Sequence, residues 1–307
     1  MLTVDVHNVS FKSHGLTCAG NLYLPQGHSK PLPCIVFANG FSGTKDWILP
    51  AFAERFAQQG LAAFTFDYRY LGESEGEPRQ LIDLESQRAD LRQALQLVRS
   101  DPRIDGSRIA LWGTSLGGSH AVEVASVDNS IAAVVCNMPA LDSVKGSNFK
   151  AKAKAANATF AVIVSTTLRL MMWGLADRIK GLLGLSPYYI KVYGAPGESI
   201  FTDPNLVDRF KKLGNSGSRW QNKVAARVLF NLPRYKHGTI ERIKAPIFVA
   251  LAANDIELNN NYVREKFAGS GAEIREYPYD HFSMYHDQAF EDVVKDQIIF
   301  LKKHLLR

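Results

Sequence analysis

Residues 108–126 read RIALWGTSLGGSHAVEVAS, and this stretch decides how the chain folds. RIALW is a short, almost wholly apolar run of the kind that makes a strand buried on both faces. The residues after it, LGGSHAVEVAS, have helical character. Between them, Gly113, Ser115 and Gly117 fit the pattern G-x-S-x-G, in which a strand turns sharply into a helix and lifts the serine hydroxyl above the sheet edge. The small residues permit so tight a turn. A purely structural reading, in which Gly117 and Gly118 only let a helix cross a strand closely, leaves the serine and the first glycine unexplained.

The same alternation extends in both directions. Residues 3–12 and 16–24 form an expected antiparallel pair turning near Gly15. CIVFA at 34–38, LAAFTFD at 61–67, IAAVVC at 131–136, PIFVALAA at 246–253 and EIREYPY at 273–279 read as strands. Helices are expected at about 46–59, 81–100, 116–126 and 286–305, with Leu84, Leu91, Leu95 and Val98 recurring at helical spacing in the second. Strands alternating with helices predict an α/β fold with a doubly wound, mostly parallel sheet. Over residues 141–245 the alternation stops, and a mainly helical pattern broken at Gly181, Pro187, Pro196, Gly214 and Pro233 takes over. The expected organisation is a core of residues 1–140 and 246–307 carrying a helical cap insertion at 141–245.

Composition narrows the function classes. With 46% hydrophobic residues, 307 residues suffice for one large core. The charge is uneven: residues 141–245 hold 18 lysines and arginines against six aspartates and glutamates, a net of +12 that leaves −6 for the rest. Such a basic segment is either a set of solvated helix faces or an attractor for an anionic substrate or acyl carrier. No zinc-finger or RNA-binding motif accompanies it, so nucleic acid is not an expected partner. Cys18, Cys34 and Cys136 lie in apolar runs and read as reduced, buried thiols. The opening MLTVDVHNVSF has neither a basic region nor an apolar one after it, which predicts a cytoplasmic protein without a signal peptide. The most apolar segment leaves only 14 uncharged residues between Lys154 and Arg169, too few for a transmembrane helix.

Four features together, namely the 113–117 turn, Asn39-Gly40-Phe41 after the first parallel strand, Asn254-Asp255 after a late strand and His281-Phe282 near the end, resemble the α/β-hydrolase superfamily. More narrowly, FANGFSGTKDW at 37–47 and WQNKVAARVLFNLPRY at 220–235 resemble the bacterial relatives of the fungal polyketide transferase, dienelactone-hydrolase-like group. The fold's usual order of nucleophile, acid and base is met by Ser115, Asp255 and His281. Asp255 would sit at the carboxyl edge of the sheet, where sites of open α/β folds lie, and its structural alternative is capping the next segment. His286 and Asp280 are second choices for base and acid, and His120 points away from the serine along its helix. The backbone N–H of Leu116 is the first expected oxyanion donor. The resemblance implies the N–H of Phe41 as the other. Many relatives carry His-Gly where this chain has Asn39-Gly40. Asp46 reads as a cap for the helix that follows it.

These residues imply a serine hydrolase acting on a small-molecule ester through an acyl-enzyme on Ser115, with no metal or cofactor. A thioesterase or acyltransferase working on acyl-CoA or carrier-bound acyl groups is the alternative, and a non-catalytic ligand-binding protein of the same fold is the third reading. Leu168, Met171, Met172, Trp173 and Leu175 are expected either to line an acyl pocket or to form the packed underside of the cap. No feature of the sequence fixes an oligomeric state.

Overall fold

The computed structural model describes residues 2–155, 159–202, 206 and 218–306. Strands β1 (Val4–Ser13) and β2 (Leu16–Pro25) pair antiparallel, with Ser13 opposite Leu16. The two residues between them, His14 and Gly15, both take positive φ (47° and 83°), as the tightest hairpin turns demand. The chain continues through β3 (Leu32–Ala38), α1 (Leu49–Ala57), β4 (Ala62–Phe66), α2 (Leu84–Ser100), β5 (Ile104–Thr114), α3 (Leu116–Ala125) and β6 (Ile131–Asn137). After the insertion come β10 (Ile247–Ala252), a helix α6 (Asn260–Phe267), β11 (Glu273–Tyr277) and a last helix α7 (Asp287–Leu305).

Eight strands form one sheet in the order β1-β2-β4-β3-β5-β6-β10-β11, parallel from β4 to β11, with β2 antiparallel to β4. Every residue of β4 and β10 is buried, which is why those strands are apolar throughout save Thr65 in β4. One face packs Phe37 and Trp112 against Phe52, Phe56 and Phe290 of α1 and α7; the other packs Phe64, Phe66 and Tyr68 with Leu91 and Leu95 of α2. The doubly wound sheet is as the sequence predicts. Cys18, Cys34 and Cys136 are free and buried within it, and burial pushes all three thiols up, Cys18 and Cys136 to about 12.

The described residues of 141–245 are less uniformly helical than their pattern suggested. Helices α4 (Phe149–Ala155) and α5 (Phe160–Leu182) are present, but β7 (Tyr189–Tyr193), β8 (Ser199–Phe201) and β9 (Val224–Ala225) build a separate sheet in the order β8-β7-β9. YIKVY alternates with period two between Pro187 and Gly194, burying Ile190 and Val192, and this short strand signal is lost in a reading at helical period. Gly214 lies outside the described residues. Among the described residues no helix is long and apolar enough to cross a membrane.

Two element starts also move. Helix α2 begins at Leu84, where Asp83 caps it by accepting the Ser86 N–H at 2.8 Å, three residues beyond the expected start. Helix α1 begins at Leu49 after Ile48, and Asp46 does not cap it. Instead Asp46 accepts the Arg219 N–H at 2.9 Å and the Ser218 hydroxyl at 3.2 Å, so it ties residues 218–219 to the segment before α1.

Candidate active site

Ser115 stands where β5 becomes α3, with φ of 51° and ψ of −115°, outside the regions open to ordinary residues. Such a conformation costs about 1–3 kcal/mol and persists only where its surroundings over-determine it. Here they do. The Ser115 N–H donates to the Asn137 carbonyl (2.8 Å), and the Ser115 carbonyl accepts from Gly118 (3.0 Å) and Ala140 (2.9 Å). A Cβ on Gly117 would lie 2.0 Å from the Ala38 carbonyl oxygen, and one on Gly113 would lie 2.2 Å from that of Gly117. Both glycines of the motif are therefore demanded by backbone, not by flexible side chains. From beneath, Gln297 of α7 donates to Asn137 Oδ1 (2.6 Å) and accepts from Trp112 Nε1 (2.9 Å), locking β5, β6 and α7 together.

Asp255 and His281 come together from loops after adjacent strands, β10 and β11. His281 Nδ1 lies 2.8 Å from Asp255 Oδ2, and both side chains are buried. The other carboxylate oxygen, Oδ1, accepts the N–H groups of Glu257 (2.7 Å) and Leu258 (2.9 Å), so the acid also caps its own turn. An ionised carboxylate only accepts hydrogen bonds, so Nδ1 carries the proton and Nε2 is left with its lone pair. Burial alone would lower the imidazole pKa, but the charge and hydrogen bond of Asp255 outweigh it, and the net shift is upward.

The loop after β3 approaches the turn from the other side. A Cβ on Gly40 would come within 3.4 Å of the Thr114 carbonyl and 3.7 Å of Ser115 Cβ. Asn39, where many relatives have histidine, donates its side-chain amide to the Phe66 carbonyl at 3.2 Å and anchors the loop to β4. Asp67 holds the loop's far end by accepting the Lys45 N–H at 2.6 Å, and burial raises its carboxyl to about 6. As the first residue of α3, Leu116 has an N–H with no partner inside its own helix.

Ser115, His281 and Phe41 line a single cavity with Asn39, Gly40, Gly43, Trp47, Ile48, Thr114, Phe201, Phe282 and Tyr285. Its free volume is about 30 Å³. Leu116 stands one residue beyond the wall, and Asp255 lies behind His281. The second-choice groups are engaged otherwise: Asp280 accepts the Phe282 and Ser283 N–H groups (3.1 Å each) and His286 Nδ1 lies 2.9 Å from Asp287; His120 is buried, 2.9 Å from Gln87.

Two expectations about the insertion fail. Leu168, Met171, Met172 and Leu175 neither line this cavity nor pack beneath the insertion; they are half exposed on the outer face of α5. Trp173 packs against Tyr188. The insertion instead reaches the cavity through Phe201, and it meets the loop after β3 through Trp220, which stacks on Trp47 (5.1 Å between ring centroids) and donates Nε1 to the Ser42 hydroxyl at 3.2 Å. Trp220 lies in the quoted 220–235 motif, and its indole next to a tryptophan of the 37–47 motif was the available signal. Phe201 had none.

Residues 29–293 match the family described as serine aminopeptidase S33. The chain belongs to that family of α/β hydrolases. The quorum-quenching protein AidA of Acinetobacter baumannii (strain MDR-ZJ06) is 37% identical over 299 residues, covering 96% of this chain and 94% of AidA. Polyketide transferase ATR5 of Stachybotrys chlorohalonatus (strain IBT 40285) is 27% identical over 316 residues, covering 99% of each. The crystal structure of the α/β hydrolase GrgF from Penicillium sp. sh18 superimposes with a TM-score of 0.78, covering 99% of this chain and 100% of GrgF at 22% identity, a likeness of fold. The resemblance read from the 37–47 and 220–235 motifs thus holds.

Proposed function

We propose that this α/β hydrolase cleaves carboxylic esters through an acyl-enzyme on Ser115, with His281 as general base and Asp255 as the carboxylate that orients it. The observation that carries the reading is the 2.8 Å contact between Asp255 and His281, made by a histidine that shares its cavity with Ser115. Nε2 takes the proton from the serine hydroxyl as its oxygen attacks the carbonyl, and the carboxylate stabilises the imidazolium that forms. The N–H groups of Leu116 and Phe41 receive the negative oxygen of the tetrahedral intermediate. His281 then protonates the leaving alkoxide. Water, deprotonated by the same nitrogen, attacks the acyl-enzyme and releases the acid.

Acyl transfer is the second reading, supported by the name polyketide transferase that ATR5 bears. It differs only in the last step, where an alcohol or amine replaces water, and a thioester donor would require the same groups. The +12 charge of residues 141–245 suits an anionic donor such as acyl-CoA or a carrier-bound acyl group. In this reading residues 141–245 are the cap of a core formed by 1–140 and 246–307. The three free cysteines suit a reducing compartment such as the cytoplasm.

Hydrolysis of p-nitrophenyl esters and of acyl-CoA, by the parent and by Ser115→Ala, tests the proposal. The expected result is turnover that drops at least about 10³-fold in the variant, with the preferred series choosing ester or thioester. The name of the 37% identical relative makes quorum signals a further class to try in the same assay. Turnover that survives the substitution would remove Ser115 from the chemistry.

A further inference from the structure

Of the twelve described residues that line the cavity beside Ser115, eleven lie outside residues 141–245. Among the described residues of that segment, Phe201 alone reaches it. Its ring is wedged edge-on between the Phe41 ring (centroids 5.8 Å apart, 89° between planes) and the Phe282 ring (5.6 Å, 81°). It thus touches both the loop after β3 and the residue following His281. These perpendicular arrangements are the favoured geometry for aromatic pairs. With the ring in place the cavity offers about 30 Å³, room for about two waters at the roughly 10–15 Å³ that each needs.

The Phe201 main chain is not free to withdraw. It is the last residue of β8, paired with Tyr193 of β7, and its carbonyl accepts the Gly194 N–H at 3.1 Å and the Ser199 hydroxyl at 3.0 Å. Strand β7 is fixed in turn. The Asn222 side chain accepts the N–H groups of Val192 (3.0 Å) and Tyr193 (2.9 Å), and the Tyr193 ring stacks on Trp220, which is itself clamped to Trp47 and Ser42. These contacts anchor the Phe201 backbone in the small sheet, so side-chain rotation is the readiest way to move the ring.

We propose that Phe201 is the specificity-determining residue of this site: its ring, held edge-on between Phe41 and Phe282 in the wall of the cavity that Ser115 and His281 share, limits the acyl group to short, slender chains. This rests on Ser115 being the residue that is acylated. A long chain must displace the ring and break both aromatic contacts, whereas an acetyl group need not. The discrimination falls on kcat/KM and grows with acyl length, because each methylene that meets the ring adds to the displacement.

The test is an acyl-length series of p-nitrophenyl esters, acetate, butyrate and octanoate, with the parent, Phe201→Ala, Phe201→Leu and Ser115→Ala. The parent is expected to prefer acetate or butyrate. Removing the ring should raise the octanoate-to-acetate ratio of kcat/KM by roughly tenfold or more, the size of effect that misfit in an apolar pocket produces, with Phe201→Leu intermediate. Melting curves establish that the variants fold, and Phe201→Leu carries the test if Phe201→Ala does not. Folded variants that hydrolyse acetate and keep the parent's ratio would overturn the role of Phe201 while leaving the hydrolase standing. A parent whose turnover is absent, or unchanged in Ser115→Ala, would overturn the acyl-enzyme and this proposal with it.

Discussion

Two apolar stretches of similar length, residues 108–126 and helix α5 at Phe160–Leu182, end in opposite surroundings. Almost every residue of the first is buried, and its turn is fixed by backbone contacts that admit no side chain at two glycines. The second is apolar on both sides. Its inner side packs on residues 226–230, where Asp177 accepts from the Tyr188 N–H (2.8 Å), the Arg227 N–H (2.8 Å) and the Arg227 guanidinium. Burial would raise the Asp177 carboxyl, but Arg227 and those N–H donors outweigh it and hold it below the usual range. The outer side leaves Leu168, Met171, Met172, Leu175, Ile179 and Leu182 at 49–83% exposure. Hydrophobicity of a segment therefore does not tell which of its sides the fold will cover. What distinguishes the first stretch is that neighbouring strands and loops demand particular residues at particular positions.

That contrast can be broken most forcefully at the histidine. Asp255→Asn should lower kcat by about four orders of magnitude, because the amide favours the wrong imidazole tautomer. It should also move the pH profile. His281 must be neutral to accept a proton, so the parent loses activity as pH falls through a pKa above that of an ordinary histidine. The substitution removes the two largest contributions that raise this pKa, leaving only the smaller one of Glu257 against burial, which lowers it, so the rising limb of kcat/KM should shift to lower pH. A limb that stays where it was would detach Asp255 from the base.

Next in size is Gly117→Ala, which sets a methyl 2.0 Å from the Ala38 carbonyl oxygen and 2.5 Å from that of Asn39. Neither atom belongs to a flexible side chain, so a loss of about 3 kcal/mol or more is expected in urea unfolding. A near-native midpoint would mean that the turn is looser than its contacts suggest. At the other extreme, Met172→Gln, at a position 64% exposed, should change stability by no more than about 0.5 kcal/mol. A large loss there would reveal that the outer side of α5 is covered in solution.

The same contrast explains what the sequence made legible. The doubly wound, mostly parallel sheet follows from alternating strands and helices, and the candidate residues Ser115, Asp255 and His281 follow from chain order in that fold, each after a strong strand signal. Beyond the short YIKVY run of β7, residues 187–225 carried no comparable signal: β8 and β9 span three and two residues, too short for any period to register. Phe201 gains its place through tertiary contacts with Phe41 and Phe282, 160 and 81 residues away, and nothing local announces them. Asp46 shows the converse error. Its position before a helix suggested a cap, yet its carboxylate is engaged by residues 218 and 219 of the insertion.

The three cysteines have a practical consequence. Each is walled off inside the sheet, with its thiol held far from the range in which thiolate forms near neutral pH. The native chain is thus a blank background for maleimide labelling. A cysteine introduced at Met172 would be the one reactive sulfur, and a spin label or fluorophore attached there would report what approaches or leaves the outer side of α5 without any native residue having to be removed first.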